Sequence, residues 1–397
     1  MKHALFHQRL TTLFFTMLSF SIFAQQTEID INLLADYNHA VELYNSKAYA
    51  AAQETFTRVS ESAEDRMRLK ANADYYDALC AIRLNQTDAD KKVLNFVENH
   101  PNSNKKDKAY FNVGNYYFAN KRAAYALKWY AKVIENALSE YNKKELNFKM
   151  GYAFLSTRNL TLAKNKFVSL INDPKYGNDS RYYFGYIAYK QEDYEIAEKT
   201  LEEIAEEQAY KSEVTYYLLD ISFKAGRFEK CIDVGKKLLE KAKPKEQSEI
   251  SKIVGESHFN LKQYAEAVPY LKAYRGKKGK WNNTDYYQLG YAYFKQNDFE
   301  NAVRFFNKII DEKNNVSQKA YYNLGECYLY LEKKSEALNA FKSASEMNFD
   351  AKVQEDAALN YAKLSYEEGN PYRSVGDILQ DFLKAYPDNA SYDEING

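Results

Sequence analysis

One pattern governs what this chain can fold into. A small residue recurs at Ala40, Ala78, Gly114, Gly151, Gly185, Gly255, Gly290, Gly325 and Ala362, with Leu219 holding the place between Gly185 and Gly255. The spacing is 34 to 38 residues. Twelve residues beyond the first marker comes a second small residue, at Ala52, Ala126, Ala163, Ala197, Cys231, Ala267, Ala302 and Ala337. Four residues later stands a bulky one: Phe56, Tyr130, Phe167, Leu201, Leu271, Phe306 and Phe341. Apolar residues at helical spacing on both sides of a short polar turn describe two amphipathic helices, A and B, per unit. The turns fall at one register, as in Gln191-Glu192-Asp193, Ala225-Gly226-Arg227 and Gln296-Asn297-Asp298. Small residues on A and B let the two helices approach, and the bulky residue fills the space beside that contact.

Composition fits this reading. Only 6 prolines occur, and Pro101, Pro174, Pro244 and Pro387 fall between units, where helices must stop. Scarce Gly and Pro exclude a loop-rich or low-complexity chain, and 45% apolar residues suffice for a core. The 55 basic and 55 acidic residues balance, so no global charge draws nucleic acid or an anionic membrane. Three cysteines in 397 residues make no disulfide framework. Cys80, Cys231 and Cys327 sit at packing positions of different units and read as buried free thiols.

The pattern resembles the tetratricopeptide repeat (TPR). The match covers residues 32–387 in nine to ten units, with degenerate units where Asp90 and Ser374 stand at the second small position and Gly235 at the bulky one. The resemblance implies an all-α, right-handed superhelical solenoid with a concave and a convex face, each unit touching mainly its neighbours. The chain is also similar to the long exported TPR proteins of Gram-negative bacteria. On that view residues 388–397 begin a further helix or form a tail, and the segment is the N-terminal part of a longer protein or has an end that a partner covers.

By the resemblance, positions −3, +1 and +4 around the first marker face the concave side. Many are aromatic, in a chain with 37 Tyr and 23 Phe. Such stripes commonly pack helix on helix. Tyrosine also offers large rigid contact area with a hydroxyl, which suits recognition. Tyr152, Tyr182, Tyr186 and Tyr189, then Tyr287 and Tyr291, are the candidate partner-binding residues. The family's carboxylate clamp would need Lys at −3 and Asn at +1 of one unit; here Asn115 goes with Phe111 and Lys252 with Glu256, so that role is rejected.

Residues 1–24 read as a secretory signal peptide. Lys2 and Arg9 precede an apolar run of about 15 residues ending at Ala24, short of a membrane span. No cysteine stands near the cleavage site, so a lipoprotein is excluded, and residues 25–31 form a short linker. Cleavage leaves 53 basic against 55 acidic residues, and no span remains. The expected location is the periplasm.

Two charge runs stand out. A flexible basic loop contains Arg275, Lys277, Lys278 and Lys280 beside Trp281, and an acidic surface runs from Glu192 to Glu207. Both read as solvated surfaces, with an anionic polymer or lipid headgroup the alternative for the loop. No metal-ligand spacing, P-loop or nucleophile motif is present, so no catalytic residue, metal or cofactor is expected. The expected function is a non-enzymatic exported scaffold, in an envelope assembly or secretion complex, that binds partner protein segments in its concave groove. A glycan- or peptidoglycan-binding protein and a docking arm for a C-terminal effector domain are the alternatives.

Overall fold

The computed structural model describes residues 32–63, 66–391 and 394. The signal-peptide and linker assignments lie outside these residues. The chain divides at Ile204/Ala205 into two units.

The first unit holds five helix pairs. These are α1 (32–45) with α2 (Tyr49–Ser62), α3 (Met67–Arg83) with α4 (Ala89–Asn99), α5 (Lys106–Ala119) with α6 (Ala123–Tyr130), α7 (Glu140–Ser156) with α8 (Leu160–Val168), and α9 (Gly177–Lys190) with α10 (Tyr194–Glu202). The second unit holds five more: α11 (Lys211–Lys224) with α12 (Phe228–Leu239), α13 (Pro244–Asn260) with α14 (Tyr264–Ala273), α15 (Asn283–Phe294) with α16 (Phe299–Phe306), α17 (Asn315–Tyr330) with α18 (Lys334–Ser345), and α19 (Ala351–Glu368) with α20 (Val375–Ala385). Odd-numbered helices are A and even-numbered ones B. The fold is all-α. Among the described residues no helix is long and apolar enough to cross a membrane.

The two rows of small residues and the bulky row form the core. Ala52, Ala126, Ala163, Ala197, Cys231, Ala267, Ala302 and Ala337 are all fully buried, as are Phe56, Phe167, Leu201, Phe306 and Phe341. Cys80 and Cys327 are buried too, and all three cysteines are free thiols.

Seven residues after each first marker the backbone enters the left-handed region. The ten residues are Lys47, Asn85, Lys121, Arg158, Glu192, Gly226, Lys262, Asn297, Glu332 and Gly369, with φ between 55° and 78°. One left-handed residue reverses the chain between A and B in every repeat, although only two of the ten are glycine.

Two of the degenerate repeats resolve physically. In the second, α4 places Ala89 and Val93 in the core, one residue ahead of the expected Asp90 and Leu94, and Asp90 instead accepts a hydrogen bond from the Tyr117 hydroxyl at 2.8 Å. In the sixth, the sizes are exchanged: Leu219 is buried at the first marker, and the space at Gly235 is filled by Val254 from the next repeat. At the C-terminal end, Asn389 reaches Glu355 at 2.6 Å and Glu394 pairs with Lys363 at 2.8 Å. Glu394 is helical; residues 392, 393 and 395–397 lie outside the described part.

Candidate partner-binding face

Within each unit, where helices of successive repeats touch without being chain neighbours, A meets A. This holds for α3 with α5, α5 with α7, α11 with α13, α15 with α17 and α17 with α19; among the described residues no two B helices make a comparable contact. The A row is therefore the more tightly drawn side of each unit, and side chains bridge it from repeat to repeat. Asn112 donates to the Tyr75 hydroxyl at 2.7 Å, Lys149 to Asn115 at 3.0 Å, and Asn323 to the Tyr287 hydroxyl at 3.2 Å.

The six candidate tyrosines all lie on A helices, four on α7 and α9 and two on α15. The structure brings them together as two sets, one in each unit. Tyr152 is the most open, 41% exposed, with its ring edge-on to Phe118 and Tyr183 at 5.7 and 5.5 Å. Tyr182, Tyr186 and Tyr189 are half-buried. Tyr182 meets Tyr183 at 5.3 Å, and Tyr189 meets Tyr194 at 6.1 Å.

In the second unit Tyr287 stacks on Tyr291 at 5.8 Å and abuts Phe306 at 5.7 Å. Burial pushes the Tyr287 phenol up to about 12. Tyr287 thus links helices through its ring and its hydroxyl, which leaves Tyr291 as the more available partner. Tyr291 also packs against Phe259 and Tyr264 at 5.9 and 5.8 Å.

Sequence reading missed the cations that sit on these rings. Lys190, five residues after the marker Gly185, stands over Tyr186 and Tyr189 at 5.5 and 5.4 Å. Lys295, five after Gly290, stands over Tyr291 and Phe294 at 5.1 Å from each. Lys224, five after Leu219, pairs instead with Asp220 at 3.2 Å. A lysine over an aromatic face is held electrostatically by the ring and remains able to meet an acid. The recurring lysine at one register was visible in the sequence, but its ring partners were not.

The A row of the second unit also carries a partly buried ion pair. Lys252 bonds Asp285 at 2.8 Å and lies 3.9 Å from Glu256. Burial opposes the Lys252 charge, but the Asp285 hydrogen bond and the nearby acids leave its pKa raised. Burial raises the Glu256 carboxyl as well. Lys252 is committed to these acids.

The basic loop is more ordered than its glycines suggest. Gly276 and Gly279 take φ near 79° and 78°, Lys277 and Lys280 form an isolated bridge, and the Arg275 amide donates to Ser248 at 3.0 Å. Trp281 donates to the Tyr274 carbonyl at 2.7 Å and packs on Tyr286 at 5.2 Å. The side chains of Arg275, Lys277, Lys278 and Lys280 point to solvent beside an open cavity of about 520 Å³. In the acidic run, Arg181 pairs with Glu203 at 2.6 Å and Lys211 with Glu206 at 2.5 Å. Among the described residues no group of His, Cys, Asp and Glu could hold a metal ion.

A family described as "Tetratricopeptide repeat" matches residues 182–246, and one described as "Anaphase-promoting complex, cyclosome, subunit 3" matches residues 260–344. Residues 182–246 match the tetratricopeptide repeat, and the helix pairs on either side of them repeat the same small-residue and bulky-residue pattern. The chain is similar to several solved structures at low identity. YrrB, described as "a TPR protein with an unusual peptide-binding site", is 18% identical, with 48% of this chain and 96% of that one covered at a TM-score of 0.41. A TPR protein from Parabacteroides merdae is 13% identical over 78% of this chain and 98% of that one, at 0.32. The Cut9–Hcn1 hetero-tetramer of the APC/C is 11% identical over 91% and 88%, at 0.35. No curated protein matches the chain in sequence.

Proposed function

We propose that this chain is a non-enzymatic TPR scaffold that docks a partner protein segment against the A-helix face of each unit. The observation that carries the reading is the repeated pairing of tyrosines with a lysine on that face, Tyr186 and Tyr189 under Lys190 and Tyr291 under Lys295. Rigid aromatic area anchors apolar side chains, and the lysine selects an acid beside them. The partner is accordingly a segment with apolar and acidic residues interleaved.

The finer reading places this scaffold in the periplasm, in an envelope assembly or secretion complex. Its support is the Lys2/Arg9 and apolar-run layout of residues 1–24. Fusing residues 1–30 to alkaline phosphatase tests that part: activity in intact cells is expected, and a cytoplasmic, inactive fusion removes the export claim.

In-cell photo-crosslinking tests the docking face. A photoreactive residue at Tyr186 is expected to give a discrete protein adduct, and one at Glu203 is not. Absence of any adduct from Tyr186, Tyr152 and Tyr291 in folded protein would sink the reading.

A further inference from the structure

A second cluster of cations lies apart from the A-helix face. The start of α3, the end of α4 and the α4–α5 loop enclose a cavity of about 560 Å³. Its wall includes Arg68, His100 and Lys105 together with four asparagine side chains. The volume is in the range of small-molecule sites.

Among the described residues its two cationic side chains are not salt-bridged. Lys105 is half-buried, and its ammonium sits over the rings of Tyr75 and Tyr76 at 4.9 and 5.1 Å. Neither Lys105 nor Arg68 has a carboxylate partner among the described residues. His100, with a side chain 12% exposed, is held by Asp74 at 2.7 Å. Arg68 and Lys105 thus place two cationic side chains on the cavity wall. A cation withdrawn from water ordinarily takes a counter-charge. Here burial, with Lys108 nearby, makes the Lys105 charge harder to hold and lowers its pKa.

We propose that this cavity binds a compact oxyanion, the phosphate or carboxylate group of a small molecule, through Lys105 and Arg68. Arginine offers a planar fork of donors to such a group, and lysine offers a point charge. The asparagine amides then supply donors and acceptors for the rest of the ligand. Sequence reading gave no hint of the site, because its residues come from one repeat and the loop that follows it and match none of the repeat's markers.

Titration calorimetry of the full chain with inorganic phosphate and separately with succinate, at constant ionic strength, tests this. Saturable binding of at least one is expected, and the stronger ligand tells phosphate from carboxylate chemistry. Lys105→Gln and the exposed Arg68→Gln should each weaken it at least tenfold, and Lys278→Gln in the other basic loop should leave it unchanged. No saturable binding of either anion overturns the proposal. So does binding that survives both Lys105→Gln and Arg68→Gln, or that Lys278→Gln removes. Glu64 and Asp65 lie outside the described residues; binding seen only in the Glu64→Gln/Asp65→Asn double variant would assign the cations to the chain's own acids and also overturn it.

Discussion

A Cβ placed on Gly325 would stand 2.5 Å from Cε1 of Phe341, the ring sixteen residues on in the partner helix. The same relation joins Gly114 to Tyr130, Gly151 to Phe167, Gly185 to Leu201, Gly255 to Leu271 and Gly290 to Phe306. One A–B contact is therefore built six times from one size rule, a missing side chain on A and a large one on B. The sixth repeat shows that the rule concerns volume rather than residue type. There Leu219 is large, Gly235 is small, and a Cβ on Gly235 would fall 2.3 Å from Cγ2 of Val254.

Gly325→Ala should therefore cost about 1–3 kcal/mol, the usual penalty for overpacking a filled core. Gly226→Ala is the comparison. A Cβ there meets nothing within 4 Å, and only the φ of +73° resists it, worth about 1–2 kcal/mol. Adding Phe341→Leu to Gly325→Ala should recover part of the first loss and none of the second. Hydrogen exchange of the α17–α18 amides reads the effect locally, which matters because repeat arrays need not unfold as one unit. No recovery in the double variant would remove the packing account.

The left-handed turn residues make a separate prediction. A charged side chain at φ of 59°, as in Glu332, carries strain that glycine relieves. Asparagine tolerates that region better than most residues, so Asn297, at φ of 61°, carries less. Glu332→Gly should raise the denaturation midpoint more than Asn297→Gly, by up to about 1 kcal/mol after the unfolded-state entropy of glycine is charged against it. Equal shifts would mean that the turn, rather than the residue, sets the strain.

The three thiols should be inert in the folded protein. Burial pushes Cys80 and Cys327 up to about 12 and raises Cys231, so none is a thiolate near neutral pH. A thiol-reactive disulfide reagent at pH 8 should titrate no group in the native chain and three in denaturant. Rapid reaction of one thiol in buffer would place it at a surface that opens locally.

How much of this was legible in the sequence follows from periodicity. The helix pairs, the small and bulky rows and the fate of the cysteines were readable, because helical spacing and side-chain volume fix them together. The Gly276 turn was read as a flexible loop, since sequence shows glycine but not the Ser248 and Tyr274 contacts that hold it. The shift of α4 by one residue was invisible, because Asp90 and Ala89 exchange places without breaking the pattern. The candidate tyrosines were found by register, yet register cannot separate a ring that links helices, such as Tyr287, from a more open one such as Tyr152. That distinction depends on the neighbouring repeat, which lies 34 or more residues away.

Glu326 ties the A-helix face to pH. Burial raises its carboxyl above the ordinary 4.5, and Lys295, the cation over Tyr291, partly offsets this. A carboxyl whose folded pKa is raised favours the fold fully below its unfolded pKa, and that contribution is lost as pH climbs through the folded value. Ionised Glu326 at pH 8 is thus a cost, and at pH 4 the group is largely neutral in both states. Glu326→Gln keeps the shape and removes the charge, so it should be more stable than the parent at pH 8 and close to it at pH 4. Thermal melts across that interval measure the difference. A variant less stable than the parent at pH 8 would show that attraction to Lys295 outweighs the burial of the carboxylate, and the lysine would then be held by Glu326 rather than offered to a partner.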